Sequence, residues 1–290
     1  SMFFPRAPLT QTNSSPITLQ DPVFIADLHL SVAVPTLRSA FAAFMRAFDS
    51  HPALINRQEL VILGDFFDAW LGDDTRGDYE DVLSSLTHFV KTPNARGETR
   101  RLFLMHGNRD FLVGTGFTKA VGATLLADPV VADIQGIKTL ISHGDMWCTA
   151  DARYQTVRAR LRRPFIQFAL LSLPLFIRRR VAENARAKSQ SVKAQVVERT
   201  ILDVTPEAVL KDALRYQTGL VIHGHTHRPG THPLSETPVQ FTPGEPESCG
   251  TRWVLGDWVY QQEALIKGTA LVFNAGSPTA LEVKDLIATH

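Results

Sequence analysis

Glu59-Leu60-Val61-Ile62-Leu63-Gly64-Asp65-Phe66-Phe67-Asp68 is an apolar run of strand length that stops at a glycine and then presents a carboxylate. Buried strands end this way when they deliver a polar group to the rim of a sheet. Four other stretches follow the same pattern. Val23-Phe24-Ile25-Ala26 leads into Asp27-Leu28-His29, and Leu102-Phe103-Leu104-Met105-His106 into Gly107-Asn108-Arg109-Asp110. Thr139-Leu140-Ile141-Ser142 leads into His143-Gly144-Asp145, and Leu220-Val221-Ile222-His223 into Gly224-His225-Thr226-His227. Asp65 stands at the centre of this set, and it reads as a carboxylate shared between two metal ions.

The 290 residues suffice for one large domain or a domain with an insert, and 44% apolar with 20% charged residues is an ordinary globular balance. A net charge of +1 gives no reason to expect a nucleic-acid partner, and nothing in the composition points to an obligate protein partner. That average hides a split. Residues 151–200 hold twelve Lys/Arg against three acidic residues, a net +9, so the other 240 residues sum to −8. Cys148 and Cys249 form no metal or disulfide pattern and read as reduced thiols of a cytosolic protein. The segment before Gln20 lacks the apolar centre of a signal peptide, and no run reaches the roughly 18 apolar residues of a spanning helix.

Taken in order, apolar spacing predicts helices over Thr36–Phe48 and Asp78–Val90, a short helix from Phe117, and a strand Val130–Ile134 turning at Gly136. Residues 151–216 change character. Tyr154–Arg163 is basic and helical; Pro164–Ile177 is almost wholly apolar; Arg178-Arg179-Arg180 closes it. Such a stretch forms either a helical hairpin packed on the main domain or a greasy, lipid-facing lid flanked by cations. Residues 229–250 read as a loop, followed by strands at Trp253–Tyr260, Ala270–Phe273 and Ala280–Val283, which implies two packed sheets. The expected organisation is an α/β core over 21–150 and 217–290, with a helical lid insert over 151–216.

Asp27, His29, Asp65, Asn108, His143, His225 and His227 offer oxygen and imidazole nitrogen but no thiolate, a set suited to Mn²⁺, Fe²⁺ or Zn²⁺. Carboxylates and histidines crowded at one rim repel or change protonation unless cations sit among them. Two divalent ions about 3.5–4 Å apart clamp a phosphoryl group and make water a nucleophile near neutral pH. His51, His88, His106, His232 and His290 read as surface or packing residues, and His223 as a packed neighbour of the ligands.

Asp27-x-His29, Gly64-Asp65, Gly107-Asn108, His143 and Gly224-His225-x-His227 resemble the motifs of the calcineurin-like metallophosphoesterases. The resemblance implies a two-sheet metallophosphoesterase sandwich flanked by helices. It assigns Asp27, His29, Asp65 and His227 to one ion and Asp65, Asn108, His143 and His225 to the other. Most of that superfamily carries histidine after the asparagine; here Arg109 follows, which cannot act as a general acid but can hold phosphate oxygens bidentately. This substitution, Ala69-Trp70-Leu71-Gly72-Asp73-Asp74, His106–Leu112, Leu173-Pro174-Leu175-Phe176 and Ile222–Pro229 resemble the UDP-2,3-diacylglucosamine pyrophosphohydrolases of lipid A synthesis.

That family resemblance implies water attack on the α-phosphorus of a glycolipid nucleotide, with two divalent ions, manganese first. It further implies action on the cytoplasmic face of the inner membrane, on an anionic surface. Arg109, Asp65 and His225 are the implied catalytic residues. The implied substrate contacts are Asn108, Arg109, His225, Asp151, Tyr154, Arg186 and Ser189, with Lys193 as a candidate; the Asn/Lys series around Gln190–Val196 departs from the family pattern. Two other readings remain open: a phosphodiesterase or nucleotide pyrophosphatase on a soluble substrate, and a non-catalytic adaptor at a membrane surface.

Overall fold

In the computed structural model, which describes residues 12–195 and 202–288, the apolar runs become strands whose alternate side chains serve two different cores. The first half of the chain runs β1 (Ile17–Leu19), β2 (Pro22–Ile25), α1 (Pro35–Ala47), β3 (Glu59–Leu63), α2 (Glu80–Lys91), β4 (Arg101–Met105), α3 (Thr115–Val121) and β5 (Ala123–Leu126). The β6 (Val130–Ile134) and β7 (Ile137–Ser142) hairpin follows, then α4 (Ala152–Leu161), α5 (Pro164–Ser172), α6 (Leu175–Gln195) and α7 (Pro206–Arg215). The chain ends with β8 (Leu220–His223), β9 (Gly230–His232), β10 (Thr251–Val254), β11 (Val259–Gln261), β12 (Ala264–Lys267), β13 (Thr269–Asn274), β14 (Ser277–Glu282) and α8 (Val283–Ile287).

Two six-stranded sheets form, ordered β14-β13-β2-β3-β4-β5 and β1-β6-β7-β8-β10-β9, with β11-β12 as a separate hairpin. β2 through β5 are parallel, joined by α1, α2 and α3, while β7, β8 and β10 are parallel in the second sheet. In β2 and β3, Val23, Ile25, Leu60 and Ile62 pack under α1 and α2, where Phe41, Phe44, Phe48 and Phe89 meet them. Phe24, Ala26, Val61 and Leu63 face the other way, onto Ala132, Ile134, Ile141 and Ile222 of the second sheet. A strand buried on both faces needs an unbroken apolar run, which is why these segments lack alternation. The outer face of the second sheet is covered by α7, whose Val209 and Ala213 pack with Leu140, Trp147 and Val221. Parallel strands here end at one rim, and loops at carboxyl ends of strands are where α/β sheets place their chemistry.

Some sequence expectations need correction. The expected single strand Trp253–Tyr260 is broken: β10 stops at Val254 and β11 starts at Val259, with Trp258 buried between them. The loop over 229–250 contains the edge strand β9, and the helix expected from Asp78 is preceded by a 3-10 turn over Asp73–Tyr79. The apolar stretch 164–177 is two helices, α5 and the start of α6, because Pro174 cannot continue the hydrogen bonds of the first.

Phe89 is buried against Phe48 (ring centroids 4.9 Å) and the Arg100 guanidinium (5.3 Å from the ring centroid). Phe89→Ala therefore costs about 3–5 kcal/mol in denaturant unfolding. Phe165→Ala, at a side chain 77% exposed, changes stability by no more than about 0.5 kcal/mol. Equal effects at both positions would contradict this account of the core.

Candidate metal centre

Every expected ligand follows the carboxyl end of a strand at the shared rim: Asp27 and His29 after β2, Asp65 after β3, Asn108 after β4, His143 after β7, His225 and His227 after β8. Ligand atoms of Asp27, His29 and His227 lie within 4.8 Å of one another, as do those of Asp65, His143 and His225. The first group is tied by His29 Nε2 to His227 Nε2 at 3.4 Å and His227 Nε2 to Asp27 Oδ1 at 3.7 Å. In the second, His143 Nε2 stands 3.5 Å from Asp65 Oδ2 and 3.2 Å from Asn108 Oδ1.

Local backbone explains how so many polar groups reach one place. Asp27 (φ 57°), His29 (50°), Asp65 (49°), His225 (70°) and His227 (58°) all adopt the left-handed conformation. A non-glycine residue there costs about 1–2 kcal/mol, so these turns persist only where surrounding contacts enforce them. Asp27 N–H donates to Gly64 O (3.1 Å), His29 N–H to Asp65 O (3.0 Å), and His225 N–H to Asp27 Oδ2 (2.7 Å). The buried Asp110 carboxylate accepts from Asp65 N (3.2 Å), Phe66 N (2.8 Å) and Gly107 N (2.7 Å), binding two motif loops together.

Two of the glycines act through clearance rather than through a special turn. A Cβ on Gly107 would lie 2.2 Å from Asp65 N and Oδ1, and one on Gly224 would lie 2.6 Å from Asp27 Oδ2. Gly64 (φ 86°) and Gly144 (103°), by contrast, take a positive φ that favours glycine.

Charge in the rim is unbalanced. Burial alone would lower the His143 pKa, but the Asp65 carboxylate, helped by Asp27 and Asp145, holds it well above its ordinary value. The same pairing outweighs burial at Asp65 and keeps its carboxyl below the usual range. Burial, reinforced by repulsion from His143, lowers His225 to about 4. Burial opposes a rise at His227, yet the neighbouring Asp27 carboxylate raises it. Burial and the neighbouring Asp65 raise Asp110 to about 6.

The residues present fit a pair of divalent cations. Asp27 Oδ1 is fully buried and accepts no hydrogen bond among the described residues. The Asn108 amide oxygen faces the Asp65 carboxylate oxygens at 3.1 and 2.5 Å and His143 Nε2 at 3.2 Å. Turning the amide over would satisfy it with hydrogen bonds, but carboxylate, imidazole nitrogen and amide converging on one point is also the donor set of a cation site. Outer partners fix ring orientation: His143 Nδ1 lies 2.7 Å from Leu63 O, and His227 Nδ1 3.4 Å from Asp257 Oδ2.

The other expected site residues are placed as follows. Arg109 donates its backbone N–H to Asp65 Oδ1 (2.8 Å), and its guanidinium lies 3.8 Å from Asp68. Tyr154 lays its ring beside that of His225 (centroids 5.7 Å, 37° between planes) and donates its hydroxyl to Asp145 Oδ2 (3.0 Å). Asp151 caps α4 by accepting from Tyr154 N–H at 2.9 Å. The side chains of Arg186, Ser189 and Lys193 lie outside the described residues. His223 is a packed residue, buried between Gly224 O (2.7 Å) and Arg252 (3.0 Å), and His106 is held at Val113 O (2.7 Å).

Asp110, Asp145 and Asp257 are polar anchors to which sequence reasoning gave no role. The first two sit beside motif residues, where an acidic letter was visible; Asp257, thirty positions beyond His227, follows Val254-Leu255-Gly256 in the same strand-glycine-aspartate pattern as Asp65.

From the rim a cavity of about 850 Å³ extends between the core and the α4–α6 insert. His29, Asn108 and Arg109 line one end; Leu37, Trp70, Leu112, Leu161, Leu170, Leu173, Val181, Trp258 and Val259 line the rest.

Gly107→Ala is expected to lower metal affinity by about 10–100-fold with the far-UV spectrum unchanged, because the added methyl displaces Asp65. Gly77→Ala, where a Cβ would meet nothing within 4 Å, serves as the control. Equal metal retention by the two variants, measured by titration calorimetry, would contradict the clearance argument.

Comparison with known proteins agrees with this geometry. The sequence model of the calcineurin-like phosphoesterase family matches residues 23–229. A protein named UDP-2,3-diacylglucosamine hydrolase from Cellvibrio japonicus (strain Ueda107) is 43% identical over 239 residues, 82% of this chain and 91% of the relative. Proteins of the same name from Marinobacter nauticus (strain ATCC 700491 / DSM 11845 / VT8) and Pectobacterium carotovorum subsp. carotovorum (strain PC1) are each 42% identical, covering 81% and 85% of this chain and 88% and 94% of theirs. With its rim of paired ligand groups and a match across most of its length, the chain belongs to the calcineurin-like phosphoesterase family.

Proposed function

We propose that this chain is a metal-dependent hydrolase that cleaves the pyrophosphate of UDP-2,3-diacylglucosamine. Water attack at the α-phosphorus would give UMP and 2,3-diacylglucosamine 1-phosphate. The observation that carries the reading is the opening of the rim, at His29, Asn108 and Arg109, into an apolar cavity of about 850 Å³, large enough for fatty acyl chains. A soluble nucleotide would leave that lining wet, whereas a two-acyl substrate covers it. The names of the relatives support the same substrate.

Asp27, His29, His227 and a shared Asp65 would hold one divalent ion, and Asp65, Asn108, His143 and His225 the other. Manganese suits this mixture of carboxylate, amide and imidazole. Bound there, the pair supplies Lewis acidity and an activated water. Arg109, on the loop after Asn108, reaches into the cavity mouth, where a fixed guanidinium stabilises charge developing on phosphate oxygens. His225, held neutral by burial, can bind a cation or accept a hydrogen bond from substrate.

The α4–α6 segment acts in this reading as the lid of the acyl chamber. Arg178 seats it, donating to Leu173 O (2.9 Å), Leu71 O (2.5 Å) and both carboxylate oxygens of Asp74. The pairing, together with Arg179, keeps Asp74 ionised, since the hydrogen bond from Arg178 lowers its pKa. The lid's outer side exposes Phe165, Phe168 and Phe176 beside the exposed Arg160, Arg163, Arg179 and Arg180. Apolar rings rimmed by cations suit peripheral binding to an anionic bilayer, the cytoplasmic face of the inner membrane in this reading, at about 1 kcal/mol per basic residue. Among the described residues no helix is long and apolar enough to cross a membrane.

Turnover of UDP-2,3-diacylglucosamine should exceed that of a water-soluble UDP-sugar at equal concentration; preference for the soluble compound would reject the substrate. Arg109→Ala is expected to lower kcat about 10²–10³-fold, whereas a change confined to KM would assign Arg109 to uniform binding. Polar replacement of Leu170 and Leu173 should raise KM for long acyl chains more than for short ones. Equal changes would make these residues ordinary packing.

A further inference from the structure

Among the described residues the insert is tied to the core on two sides, and one of these ties reaches the metal centre. On that side Asp145, two residues after His143, lies fully buried beneath α4. Its Oδ2 accepts from Arg158 Nε at 2.7 Å and from the Tyr154 hydroxyl at 3.0 Å. Gln155 Nε2 donates to the Asp145 backbone carbonyl at 2.8 Å and to Cys148 O at 3.2 Å. One turn along the same helix, Arg162 Nη2 donates to Gly107 O at 2.8 Å and stands 3.9 Å from Asp145 Oδ2. Gly107 immediately precedes Asn108 and Arg109. Thus α4 and the turn after it touch the loops of the third and fourth motifs through charged groups, and Tyr154 touches His225 through its ring.

The arrangement is over-determined for a simple packing contact. A buried carboxylate receiving a charge-assisted bond from a guanidinium is strongly directional, and it fixes the rotation of α4 about its own axis. With that rotation fixed, Tyr154 and Arg162, each four positions from Arg158 in sequence, have one location each. An apolar contact in place of the pair would hold the helix near the core without setting this register.

We propose that Arg158 and Asp145 are positioning residues for the hydrolysis. They lock α4 in the register that seats Tyr154 against His225 and lets Arg162 hold the carbonyl beside Asn108 and Arg109. The pair acts through these residues and makes no contact with the reacting atoms. This inference rests on the proposed phosphohydrolase reading, and it differs from the role of Arg178 and Asp74, which clasp the far side of the lid beside the acyl chamber.

The test compares Arg158→Met, Arg158→Lys and Arg162→Met with the unaltered chain, all loaded with manganese. Each is assayed on UDP-2,3-diacylglucosamine and on bis(p-nitrophenyl) phosphate, a simple phosphodiester with no acyl chain; bound metal and melting temperature are measured in parallel. Arg158→Met is expected to lower kcat at least tenfold on both substrates, with metal content unchanged and the acyl-length dependence of KM preserved. Arg158→Lys, which keeps the charge on Asp145, should recover most of that loss. If Arg158→Met does not fold, Arg162→Met carries the same expectation at the second strap. A melting temperature that falls while kcat on both substrates stays unchanged would overturn the proposal, as would a kcat loss that follows metal loss. An unaltered chain that cleaves the phosphodiester but not the glycolipid nucleotide rejects the substrate reading and leaves the positioning test standing.

Discussion

Five side chains of the two ligand groups belong to residues held in the left-handed backbone region, and much of the molecule is arranged to keep them there. Each such residue carries an intrinsic penalty of about 1–2 kcal/mol. The compensation is visible: carbonyls of Gly64 and Asp65 receive the N–H groups of Asp27 and His29, and the Asp110 carboxylate gathers N–H groups from Asp65, Phe66 and Gly107. Strained turns at strand ends project polar groups past the rim instead of alternating them into the sheet faces. The strain is thereby exchanged for convergence, which an unconstrained loop would not maintain.

The same rim explains why the fold is a sandwich rather than a single wound sheet. Asp27, Asp65 and Asn108 come from the first sheet, His143, His225 and His227 from the second. Neither sheet supplies a complete donor set, so the inter-sheet core of Phe24, Val61, Leu63, Ile141 and Ile222 sets the distance between halves of each ligand group. Close approach at that seam leaves no room for a Cβ at Gly224, which would meet Asp27 of the other sheet, while Gly107 is closed off by Asp65 within its own sheet. Packing between sheets and geometry at the metal centre are therefore one constraint, and loss of either disturbs the other.

Much of this was legible in the chain itself. The five strand-end motifs could be read because doubly buried strands are unbroken apolar runs and because the polar residues after them have no structural reason to be there. Short edge strands such as Ile17–Leu19 carry too few residues for a period. The interruption at Leu255–Trp258 is marked by Gly256-Asp257, a turn signal masked by the strand-like residues on either side, and the tertiary packing of buried Trp258 separates β10 from β11. The clearance role of Gly107 and Gly224 was equally hidden, since a glycine letter does not say whether φ or space requires it. The insert was legible as basic and greasy. Its division into an inner wall and an outer face was not, because Leu170 and Leu173 differ from Phe165 and Phe176 only in direction.

In the proposed arrangement one aspartate between two donor groups holds a pair of ions close enough to act on one phosphoryl group. Electron paramagnetic resonance of the chain titrated with Mn²⁺ tests this directly. Saturation is expected at two manganese ions per chain, with the spectrum of an exchange-coupled pair that collapses to an isolated-ion signal in Asp65→Ala. A stoichiometry of one, or two ions giving only isolated-ion signals at saturation, would contradict it.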